Sequence, residues 1–148
     1  MSADNVEIVQ SFLGVLGELD PSHIMEQGDV DQSALDALLH PDFEIANPLF
    51  HPVSGVISGV GDDQGVLRGK SAMMIDVVET SSRWEIKVKD TTFHDVGDFV
   101  LFMGNVEVAG RTSGRAVCTP FTELIWVRDS KVLRVEPFIN TAAFAAAL

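Results

Sequence analysis

Helical spacing in the first half of the chain and two-residue alternation in the second predict an α+β domain, with helices preceding a long antiparallel sheet. Three observations carry this expectation. Between Val6 and Leu19 the apolar residues Val9, Phe12, Leu13, Leu16 and Leu19 recur at three- and four-residue steps, one stripe of an amphipathic helix. From Trp84 the period falls to two, with Trp84, Ile86 and Val88 alternating against Glu85, Lys87 and Lys89. Further on, Phe99 to Met103 and Phe121 to Val127 are apolar at nearly every position, the pattern of strands covered on both faces.

The elements follow in order. Asp4 and Glu7 resemble a capping box at the start of the first helix, and Asp20-Pro21 stops it because a residue before proline is pushed out of the helical region. The polar segment to Asp31 connects to a short second helix, Ser33 to Leu39, with Ser33 and Asp36 in capping-box spacing; His40-Pro41-Asp42 ends it. Phe43 to Ala46 reads as a strand and Leu49 to Arg68 as a long glycine-rich loop. Gly69 to Thr80, with Ala72, Met73, Ile75, Val77 and Val78 as its stripe, reads as a third helix. Turns at Val96-Gly97-Asp98, Gly110 to Gly114 and Asp129-Ser130-Lys131 then divide a meander whose last strands are Phe99 to Ala109, Ala116 to Arg128 and Val132 to Ile139. The alanine-rich Thr141 to Leu148 forms a terminal helical turn or two.

A chain of 148 residues has enough length for one core, so a single domain over 1–148 is expected. The formal net charge of -12 repels phosphate backbones and anionic headgroups, which excludes nucleic acid and membrane surfaces as natural partners. No stretch approaches the ~18 consecutive apolar residues of a membrane span, and Met1 to Glu7 lacks a basic targeting region. The single Cys118, in an apolar run, is expected to be a reduced core residue in a cytoplasmic protein. His23, His40, His51 and His94 share no spacing that would gather metal ligands, so no metal and no cofactor is expected. Gly59-Val60-Gly61 lacks the dinucleotide spacing, its next glycine being Gly65, and Asp62-Asp63 would repel a phosphate.

Helices followed by a meander, Asn47-Pro48 ending the first strand, Gly69-Lys70 opening the third helix, and the Arg128 to Lys131 hairpin leading into Pro137-Phe138-Ile139-Asn140 together resemble the nuclear transport factor 2-like superfamily. Within it the chain is most similar to SnoaL-like polyketide cyclases and ketosteroid isomerase-like proteins. The resemblance covers nearly the whole chain and implies a cone-shaped, cystatin-like fold: three N-terminal helices packed on a curved antiparallel sheet around an apolar pocket for a small hydrophobic molecule. The steroid isomerase set is not reproduced. The chain has no tyrosine, its base position resembles Asn47, and its oxyanion-hole aspartic acid resembles Thr122. Of the epoxide hydrolase set, matched at Ile45, Asn47, Asn105, Glu107 and Asn140, only Asn47 is retained, with Glu107 standing in for a shorter acid. For the acid/base of the polyketide cyclases, Glu107, Glu123 and Glu136 all remain open.

The candidate catalytic residues are therefore Glu107, alone between Val106 and Val108 where burial would raise its pKa, and Glu136. Asn47, His51, Asn105, Thr122 and Asn140 are the candidate ligand-binding residues. Thr122 and Glu123 must face opposite sides of their strand, so only one of them enters the pocket. A cofactor-free isomerase, cyclase or hydrolase is one reading, and a non-catalytic binding or assembly module is the other; a titratable group inside the cone separates them. Because one layer of helices covers one sheet face, the second apolar face is expected to bury itself in a homodimer.

Overall fold

The computed structural model of the protein describes residues 2–18 and 33–148. Its described elements are helix α1 (Ser2–Glu18), α2 (Ser33–Leu38), strand β1 (Leu39–Ala46), a 3-10 turn (Pro48–Phe50), β2 (Val66–Arg68), α3 (Ala72–Ser81), β3 (Trp84–Asp95), β4 (Phe99–Gly110), β5 (Ala116–Arg128), β6 (Lys131–Phe138) and α4 (Thr141–Ala146). The predicted inter-helix connection, the Asp20-Pro21 stop and His23 lie outside the described residues.

The six strands form one sheet in the order β2-β1-β6-β5-β4-β3. It is mixed, because β1 pairs parallel with β6 while the other neighbours run antiparallel, which corrects the all-antiparallel expectation. A parallel neighbour requires a crossover, and here the crossover is the whole stretch from β2 through the meander. Nor do the three helices form an N-terminal block, since α3 comes after β1 and β2. The residues His40, Pro41 and Asp42, expected to end α2, belong to β1 instead. The hairpin from β5 to β6 turns through Asp129 and Ser130 at φ 54 and 60, the two positive values that a tight hairpin of this twist demands.

Strand alternation sorts the meander into two faces. On the inner face Val100, Phe102, Val106 and Val108 of β4 lie beside Phe121 and Ile125 of β5, and all are buried. Helix α1 packs across β3 to β6 through Val9 and Phe12, and α3 against β1 and β3. The outer face carries Phe99, Leu101 and Met103 opposite Trp126, Leu124 and Thr122, and all of these keep part of their surface exposed. Cys118 stands in the same outer row, opposite Glu107, and is exposed; even-numbered β5 positions point away from the helices, which corrects its placement in the core. On α3 the buried positions are Ala72, Met73, Met74, Asp76 and Thr80, whereas Ile75 and Val78 of the predicted stripe are exposed.

Candidate active site

Between α1, α3 and the inner face of the sheet lies a cavity of about 190 Å³. Phe12, Leu13 and Leu16 of α1 form one wall, Ile45, Phe102, Val106, Phe121 and Val135 the sheet side, and Phe144 of α4 one end. Trp84 holds α4 there, donating from Nε1 to the Phe144 carbonyl at 2.9 Å and meeting its ring edge-on at 5.3 Å. Ile86 and Val88, 38% and 50% exposed, mark the side on which the cavity meets solvent.

Three polar side chains enter this apolar space: Asn47, Asp76 and Glu123. Asn47 is 5% exposed and follows the end of β1. Its Oδ1 accepts from the Leu49 amide at 2.9 Å, capping the 3-10 turn that Pro48 begins. That bond orients the amide, so Nδ2 donates to Asp76 Oδ2 at 2.8 Å. The returning loop packs tightly on this turn. At Gly65, with φ +76, a Cβ would stand 3.0 Å from the Asn47 carbonyl oxygen and 2.9 Å from the His51 nitrogen.

Asp76 is carried inward by helical spacing, one turn after Ala72 and Met73 and one before Thr80. At 8% exposure it is buried, and loss of solvation pushes its pKa from 3.8 up to about 6, with the Asn47 hydrogen bond pulling the other way. Glu123 reaches the cavity from β5, between Phe102 of β4 and Pro137 of β6 in the sheet register. Loss of solvation pushes its pKa from 4.5 to about 7, and the negative charge of Asp76 adds to the rise. The surface it retains faces the cavity, and it makes no hydrogen bond to the described residues. Burial thus moves both carboxyl groups up toward neutral pH, and at Glu123 the charge of Asp76 adds to the effect of burial.

The expected site residues are dispersed. Glu107 lies on the outer face in an ion pair with Lys89 at 2.8 Å, which holds its carboxyl below the ordinary range; the expected buried base with a raised pKa is not found there. The reason is parity: Val106 and Val108 point inward, so Glu107 points out. Glu136 is half-buried beside Arg134 at 3.5 Å and lines a separate open groove of about 420 Å³ together with His51. His51 Nδ1 accepts from the amides of Val53 and Ser54. Asn105 and Thr122 border a third depression, on the outer face with Met103 and Pro120. Asn140 caps α4, accepting from the Ala143 amide at 3.1 Å. Asn47 alone of the expected set lines the main cavity, and Glu123, left open among three glutamates, lines it in place of Thr122.

Asp76 was missed. An acid at the i+3 and i+4 positions of Met73 and Ala72 on an otherwise apolar helix face was the available signal. Among the described residues no group of three or more His, Cys, Asp or Glu is arranged to hold a metal ion. No described helix is long and apolar enough to cross a membrane.

No protein-family model matches the sequence. No curated protein matches it either. Solved structures do. A nuclear transport factor 2-like protein from Burkholderia xenovorans superposes with a TM-score of 0.73 at 25% identity, over 99% of this chain and 97% of its own. A protein from Catenulispora acidiphila with a ketosteroid isomerase-like fold, in complex with trimethylamine, gives 0.66 at 15% identity, over 95% and 91%. A candidate polyketide cyclase from Xanthomonas campestris gives 0.65 at 17% identity, over 99% and 97%. The chain thus has the nuclear transport factor 2-like fold, which it shares with structures described as ketosteroid isomerase-like and as candidate polyketide cyclases.

Proposed function

We propose that the protein is a cofactor-free enzyme that moves protons on a small hydrophobic molecule held in the α1–α3–sheet cavity. The observation that carries this reading is the pair of carboxyl groups with raised pKa, Asp76 and Glu123, entering one apolar cavity. Their surroundings separate their roles. The Asn47 donor favours the ionised form of Asp76, whereas Glu123 has no such donor among the described residues and feels the charge of Asp76. Near neutral pH Asp76 is the base and Glu123 the acid.

In this reading the Asp76 carboxylate removes a proton from one atom of the substrate while Glu123 gives its proton to another. The result is an isomerisation with no net change in protons. Exchange with water at the Ile86 and Val88 side then takes the proton from Asp76 and returns one to Glu123. The size of the cavity narrows the substrate. A dry cavity of roughly 150 Å³ accepts benzene, so about 190 Å³ fits a single ring or an aliphatic of similar bulk. The outer face, with Phe99, Leu101, Met103, Leu124 and Trp126 left partly exposed, supports a homodimer formed through the sheet. An exposed, unpaired Cys118 suits a reducing compartment such as the cytoplasm.

The test is deuterium exchange into single-ring compounds with acidic C–H groups, followed by NMR in D2O. The wild-type chain should accelerate exchange into those that bind, Asp76→Asn should abolish the acceleration, and Glu123→Gln should reduce it. Binding with no acceleration above the Asp76→Asn background would leave a ligand-binding module in place of an enzyme.

A further inference from the structure

The cavity has a sign as well as a size. Asp76 and Glu123 are the titratable groups of its lining; α1 contributes Phe12, Leu13 and Leu16, β3 contributes Ile86 and Val88, and no Lys, Arg or His from any described element borders it. Nor does any Ser, Thr, Tyr or Trp side chain. Asn47, the neutral donor side chain of the lining, has its amide engaged by Asp76. Negative charge developing on a ligand would thus meet one proton donor, Glu123, beside the negative Asp76. Positive charge would meet two acids in an apolar enclosure where Coulomb attraction is weakly screened. The rings of Phe12, Phe102 and Phe121 also border the space, and aromatic rings attract cations through their faces.

We infer that the natural ligand is a compact hydrophobic amine or imine, bound as its cation beside Asp76 and Glu123, rather than a carbonyl compound that passes through an oxyanion. This inference rests on the cavity being the functional site. The cation supplies the counter-charge that the lining lacks and gives Glu123, which has no hydrogen-bond partner among the described residues, an N–H group to accept; with this ligand Glu123 holds the nitrogen as a carboxylate and does not act as the proton donor. With an iminium substrate the same positive nitrogen would take up the electrons released when Asp76 removes a neighbouring C–H proton, so no oxyanion hole is needed.

The experiment uses three probes of one shape, benzylammonium, benzyl alcohol and benzoate, titrated calorimetrically into the full chain at pH 7 in two buffers of different ionisation enthalpy. Benzylammonium should bind at least tenfold more tightly than benzyl alcohol, benzoate should not bind, and only the amine should release protons from the protein. Asp76→Asn and Glu123→Gln, checked for an unchanged fold by melting, should each bring the amine to within a few-fold of the alcohol. Alcohol or benzoate binding as tightly as the amine would overturn the inference and leave the cavity as the site. Amine binding untouched by both substitutions would also overturn it, placing the cation on the acidic surface. Failure of all three probes would remove the inference together with the cavity reading.

Discussion

Replacing Asp76 by Asn should stabilise the protein at alkaline pH and leave it nearly unchanged in acid. In the native state Asp76 binds its proton more tightly than an unfolded aspartate does, with a pKa of about 6 against 3.8. Between those values the native chain holds the proton that the unfolded chain has lost, so stability falls as pH rises through the window. At ~1.4 kcal/mol per pH unit the rise corresponds to about 3 kcal/mol against the folded state once Asp76 is fully ionised. Asparagine keeps the shape and an oxygen for the Asn47 donor without the charge. Urea unfolding at pH 8 should therefore show Asp76→Asn to be about 2–3 kcal/mol more stable than wild type, or roughly 5–8 °C higher in Tm, with the difference vanishing near pH 4. Because Glu123 is raised in the same direction, the double variant Asp76→Asn/Glu123→Gln should flatten the fall in stability between pH 4 and pH 8. A gap that is equal at pH 4 and pH 8 would show that Asp76 carries no ionisation penalty, and the acid/base pair would fall with it.

Other perturbations probe neighbouring parts of the argument. Asn47→Ala removes both the Leu49 cap and the Asp76 donor and should cost about 1–2 kcal/mol at pH 8, with steeper pH dependence in the same urea titrations. Phe12→Ala, at a buried α1 position on the cavity wall, should cost about 3–5 kcal/mol by denaturation. Glu107→Gln should leave ligand affinity and proton exchange at wild-type levels, since its carboxyl is paired with Lys89 on the opposite face. Leu101→Asp on that face should shift the sedimentation coefficient from dimer to monomer; a monomeric wild type at micromolar concentration would retire the dimer.

Legibility differed between elements for identifiable reasons. The strands after Trp84 were readable because hairpin turns leave local marks, and β5 runs from Ala116 to Arg128 as expected. The β1 to β6 pairing joins residues such as Ile45 and Val135, far apart in the chain, and no local pattern encodes it. The α3 stripe was misread because apolar residues at Ile75 and Val78 outnumbered the informative polar one; Asp76, not Ile75, faces inward. Glu107 and Glu123 are both acids in apolar strands, and only strand phase tells them apart. That phase is hidden where Phe99 to Met103 and Phe121 to Val127 are apolar on both faces.

By itself, the sequence determined the class of fold, the run of hairpins, the strongly acidic net charge, and the strand-end position of Asn47. These depend on composition, on periodicity and on the chemistry of short turns, all of which act between near neighbours in the chain. Only the tertiary structure decided that Asp76 and Glu123 share a cavity, because a helix and a strand 47 positions apart meet there through packing. It is also packing that removes water from the two carboxyl groups and so raises their pKa values. The chemistry of the site is thus a property of which faces meet.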